Sequence, residues 1–88
     1  MANKRTLKRA IRVVSEELFA EAVALSLYGT EHQRERADLL LKTIVKLEDD
    51  CSRRISHPEP GMKPKRYFDD LIEQFNAQVS DIIDQMNG

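Results

Sequence analysis

Apolar residues in this chain recur at steps of three and four, in three blocks separated by only two breaks. Leu7, Ile11, Val14, Leu18, Ala22 and Leu25 form the first block. Ala37, Leu40, Leu41, Ile44, Leu47, Cys51 and Ile55 form the second. Phe68, Leu71, Ile72, Phe75, Val79, Ile82, Ile83 and Met86 form the third. Such steps return side chains to one face of an α-helix, whereas a half-buried strand alternates every second residue. No alternation, internal repeat or low-complexity tract competes with the helical period. The expectation is an all-α chain with helices over about residues 4–28, 31–56 and 64–86, in one domain spanning 1–88.

The two breaks carry the punctuation that such helices need. Asn3 suits an N-cap for the first helix, and Tyr28-Gly29 reads as its end, with the glycine in the left-handed conformation. Thr30-Glu31-His32-Gln33 then fits a capping box, in which the Thr30 hydroxyl and the Gln33 side chain each take up an exposed backbone N–H. The second helix has to stop near Ser56, because Pro58 disfavours a helical His57. In ISHPEPGMKPKRYFDDL, residues 55–71, the chain turns around Pro60-Gly61, and Pro64 enters the first turn of the third helix, where its missing N–H costs nothing. A tight first turn and a longer second one give an antiparallel up-down-up three-helix bundle, with a dimer completing a larger bundle as the main variant.

Eighty-eight residues lie near the lower limit for a self-sufficient core. The single cysteine rules out an intramolecular disulfide and fits a reducing compartment. MANKRTLKRAIRVV is basic but lacks the apolar segment and cleavage site of a signal peptide, and no apolar run is long enough to cross a bilayer. A cytoplasmic protein is expected, with no membrane partner.

No catalytic motif is present: the chain has no phosphate-binding glycine loop, no CxxC, no HExxH and no Gly-x-Ser-x-Gly. His32 and His57 fall at opposite ends of the expected bundle and cannot share a metal. Glu31, His32 and Glu35 share the start of the second helix, but acidic residues there are favoured by the helix dipole alone. Cys51 belongs to the core stripe, and Glu48 to its margin, within reach of an arginine or solvent. Neither a metal, a cofactor nor catalytic residues are expected.

Two features exceed a plain bundle. In LFAEAVALSLY, residues 18–28, Phe19, Val23 and Leu27 make a second apolar stripe about 140° from the first, estimated at 100° per residue. A helix apolar nearly all round is covered by something else. Phe19, Val23, Leu27 and Tyr28, with Leu39 at the rim, are therefore interface candidates. The second feature is charge. If the first and third helices run parallel, one end of the bundle gathers Lys4, Arg5, Lys8, Arg9, Arg12, Arg53, Arg54, Lys63, Lys65 and Arg66. These ten basic residues meet seven acidic ones, a net of +3, while the other end has four basic and eight acidic, a net of −4. Helix N-termini with basic side chains attract anions, and Tyr67 is the nearby aromatic that could stack on a base.

LFAEAVALSLYG and HPEPGMKPKRYFDDLI are similar to stretches in small uncharacterised all-helical bacterial proteins. The resemblance covers most of the chain and implies a helical fold in a bacterial cytoplasm. It carries no activity, ligand or catalytic residue. The sequence thus points to a small non-enzymatic helical-bundle protein that acts as a homodimer or on another protein. The alternative is nucleic-acid or polyanion binding through the basic end.

Overall fold

The computed structural model describes residues 4–87 and contains three helices: α1 (Lys4–Tyr28), α2 (Glu31–Ser56) and α3 (Pro64–Asn87). Cross-helix hydrogen bonds give their directions. Lys8 Nζ donates to Ser56 Oγ, and Ser26 Oγ donates to Asp38 Oδ1 at 3.5 Å, so α1 begins where α2 ends. Arg36 Nη1 donates to the Gln85 carbonyl at 2.8 Å, and Tyr67 Oη to the Arg54 carbonyl at 3.2 Å, so α3 begins beside the end of α2. Neighbouring helices therefore run in opposite directions, in a rod of 47 × 18 × 18 Å.

The core takes its members from the three stripes. Ile11, Leu18 and Ala22 of α1 meet Leu40, Ile44, Leu47, Cys51 and Ile55 of α2 and Leu71, Phe75, Ile82 and Met86 of α3. Ala22 and Ala37 are fully buried, and their small side chains let the α1 and α2 backbones approach closely. The core side chains of α3 are large, and α3 stands farther off, least close to α1. Ile72 and Ile83, expected in the core stripe, are exposed at its margin, because the stripe of α3 is wider than the seam it faces. Ser15 is buried among the apolar residues, and its hydroxyl has no hydrogen-bond partner.

The caps follow the sequence with one correction. The capping box is complete: the Gln33 backbone N–H donates to Thr30 Oγ1 at 3.2 Å, and the Thr30 N–H to Gln33 Oε1 at 2.9 Å. The His57 N–H closes α2 on the Arg53 carbonyl, and α3 opens at Pro64, with the Tyr67 N–H donating to the Lys63 carbonyl. Gly61 has φ +95°, which serves the turn after Pro60. Gly29 does not have the left-handed conformation expected of it. Its reason is space: a Cβ there would lie 2.6 Å from the Leu25 carbonyl oxygen and 2.9 Å from Gln33 Oε1. The turn is too tight for a side chain. The Asn3 cap lies outside the described residues.

Candidate interaction surfaces

The register of α1 against α2 places the exposed apolar residues. Eleven residues inward from the Lys8–Ser56 contact are Phe19 and Val45; seven residues inward from Ser26–Asp38 are the same two. Phe19 and Val45 thus stand level with each other. Together with Leu41 they line a shallow, mostly apolar depression across the outer face of the α1–α2 pair, rimmed by Lys42, Lys46 and Asp49. Phe19 is 39% exposed and Val45 54%. Val23, one turn on from Phe19, is half-buried, and Leu27 beyond it is 62% exposed.

The structure divides the residues expected to form a single patch. Phe19, Val23 and Leu27 share the α1 stripe, but Tyr28, 86% exposed, lies round the helix and lines a hollow with Leu25, Gln33 and Met86 near the end of α3. Leu39, 67% exposed, is on the opposite flank of α2: Arg36, one turn before it, reaches α3, whereas Asp38 reaches α1. Leu41 and Val45 take their place. Val45 falls outside the helical stripe of its own helix, so only the pairing with Phe19 reveals it.

A second apolar hollow lies between α1 and α3, lined by Val14, Leu18, Ala20, Val79 and Ile83 with Glu17 and Glu21. It follows from the wider separation of those two helices.

At the end of the rod where α1 and α3 begin and α2 ends, part of the basic charge is compensated. Arg53 pairs with Asp49, Arg54 with Asp50 at 3.6 Å, and Arg12 approaches Glu48 at 3.9 Å. Arg54 also donates to Gln74 Oε1. Such exposed pairs contribute at most about 1 kcal/mol each, yet they lower the local potential. Lys8 is held by Ser56. Lys4, Arg5, Arg9, Lys63, Lys65 and Arg66 are exposed. Tyr67 is half-buried, its ring meets Phe68 edge-on at 5.5 Å, and its hydroxyl is bonded to α2, so it is not presented for stacking.

Among the remaining reactive groups, Cys51 is buried, and its thiol pKa is raised by loss of solvation and by Asp50, partly offset by Arg54. That is the setting of an inert core thiol. Nη2 of Arg36 lies 2.9 Å from Nε2 of His32, one turn away on α2. Among the described residues no group of three or more His, Cys, Asp or Glu is arranged to hold a metal ion, and no helix is long and apolar enough to cross a membrane. No protein-family model, curated protein or solved structure matches this chain.

Proposed function

We propose that the chain is a non-enzymatic helical-bundle protein that works as a homodimer, joined through the outer face of α1 and α2. The observation that carries this reading is the level pairing of Phe19 with Val45 in one apolar depression with Leu41, extended along α1 by Val23 and Leu27. Large apolar side chains clustered on a rigid, helical surface gain roughly 25 cal/mol for each Å² of apolar area that a partner removes from water. Helix-face burial is the mechanism, and the bundle formed by two copies is the working unit. The buried thiol of Cys51 and the resemblance of the two quoted segments support a bacterial cytoplasmic setting.

Absolute mass by light scattering over a concentration series tests the reading. A mass rising to twice that of the chain is the expected result, and a single-chain mass at every concentration overturns it.

A second reading rests on the basic end, where Lys4, Arg5, Arg9, Lys63, Lys65 and Arg66 stay exposed around the starts of α1 and α3. It assigns this surface to a nucleic acid or another polyanion. Its affinity would fall linearly in log K against log salt, and would be lost on changing Arg9, Arg12, Lys65 and Arg66 together to Gln. Fluorescence anisotropy with labelled RNA and DNA reads both, and an absence of salt-dependent binding removes it.

A further inference from the structure

Charge along the α1–α2 face is arranged about the Phe19–Val45 level with opposite signs on its two sides. Arg5, Arg9 and Arg12 share the Phe19 stripe of α1 and lie fourteen, ten and seven residues from Phe19. Glu31, Glu35 and Asp38 share the Val45 stripe of α2 and lie fourteen, ten and seven residues from Val45, toward the other end of the rod. At 1.5 Å per residue both sets sit about 21, 15 and 10 Å from the central level. Nearer the centre the signs reverse but the symmetry holds: Glu16 lies three residues from Phe19 and Lys42 three from Val45. The three acidic residues line one hollow with Ser26 and Arg34, which places them on this face of the pair. Arg12 and Lys8 reach across to Glu48 and Ser56 of α2, which places the start of α1 there as well.

We infer that the partner on this face is a second copy of the chain, docked antiparallel, with the twofold axis crossing the helices at the Phe19–Val45 level. The inference rests on the self-association reading and adds the orientation. A twofold at that level lays the apolar depression on itself. It sets α1 against α1 and α2 against α2. It so brings the Arg5, Arg9 and Arg12 level of each copy to the Glu31, Glu35 and Asp38 level of the other, and Glu16 to the level of Lys42. Each pair lies diagonally across the interface, about one helix spacing of 8–10 Å apart. A twofold parallel to the helices would instead stack the arginine level on itself, and like charges opposed across an interface disfavour that arrangement. Asp49 and Arg53, four and eight residues from Val45, depart from the pattern and pair with each other. Lys8 and Arg34, each eleven residues from the centre, also depart from it. Both are turned inward, Lys8 to Ser56 and Arg34 Nε to the Ser26 carbonyl at 3.2 Å.

Distance measurement by double electron–electron resonance separates the two orientations. A nitroxide at Arg9→Cys, in a Cys51→Ala background checked for helicity, sits about 15 Å from the central level. In the antiparallel dimer the two labels are then at least about 30 Å apart. In a parallel dimer they fall within about 20 Å, given helices packed 8–10 Å apart. The long distance is expected. A short distance in a protein that light scattering shows to be dimeric overturns the orientation and leaves self-association standing. A monomeric mass for the unmodified protein overturns both. Independently, reversing Arg5, Arg9 and Arg12 to Glu weakens the dimer at least tenfold, and adding Glu31→Lys, Glu35→Lys and Asp38→Lys restores it. Equal affinity of the first variant and the unmodified protein also overturns the proposal.

Discussion

Phe19 of α1 and Val45 of α2 stand at one level of the helix pair and share one apolar depression. Neither is in the core, and neither is covered by α3. The relation exists only because a two-residue turn sets the register of the pair, so a feature of the surface traces back to Gly29 and the Thr30 cap.

Substitutions should sort by face. Phe19→Asp or Val45→Glu is expected to reduce the dimer to single chains in light scattering while leaving the helical circular dichroism unchanged. Leu39→Glu, more exposed than either but on the other flank, should leave the mass as it was. An equal effect from Leu39→Glu would move the interface off the α1–α2 face.

Salt gives a second handle on the same contact. Burial of Phe19 and Val45 alone is little affected by ionic strength, whereas arginine and carboxylate levels set diagonally across the interface are screened beyond about 8 Å at 0.15 M. Dimer affinity should fall as sodium chloride is raised from low to moderate concentration, and sedimentation equilibrium reads the change.

Ser15 is a stability liability. Its buried hydroxyl has no partner, and burying such a group costs about 1–3 kcal/mol. Ser15→Ala removes the hydroxyl at nearly the same volume and supplies a better helix former. A gain of about 1 kcal/mol is expected as a higher urea midpoint at unchanged slope.

The two described glycines of the turns should fail for different reasons. Gly29→Ala forces a Cβ to 2.6 Å from a backbone carbonyl, so the α1–α2 turn must open, at a cost of about 2 kcal/mol or more. At Gly61 a Cβ meets open space, and only φ +95° opposes it. Gly61→Ala should cost about 1–2 kcal/mol. Gly61→Asn should cost less, because Asn tolerates positive φ better than Ala. Chemical denaturation of the three variants makes the comparison.

Cys51 gives stability a pH dependence at the alkaline side. Burial holds the thiol protonated in the folded protein, so its pKa is above the unfolded value. The contribution is complete below the ordinary value of 9.0 and is lost as pH rises through the raised one. Urea midpoints of the unmodified protein should fall more steeply above pH 9.0 than those of Cys51→Ala. Parallel slopes would show that the thiol makes no such contribution.

Helix number, bounds and most of the core were legible because each rests on local rules: the three-and-four step, the Thr30–Gln33 box and the Pro58 and Pro64 positions. The surface was legible only in part. Phe19, Val23 and Leu27 declare themselves on one helix, since a second apolar stripe is visible there. Val45 does not, because its apolar neighbour is on α1 and the relation depends on register. Tyr28 and Leu39 were grouped with the patch because a helix projection shows angle and not which neighbour occupies each flank. Gly29 was read through the commonest use of a terminal glycine, when the constraint came from the crowding of Leu25 and Gln33.

The smallness of Ala22 and Ala37 has a consequence for the order in which the molecule is made. Those residues and the tight turn let α1 and α2 join through contacts close in sequence, which form quickly. Everything on the Phe19–Val45 face belongs to that hairpin. The surface assigned to the second copy is therefore set when the hairpin closes, before α3 has to dock.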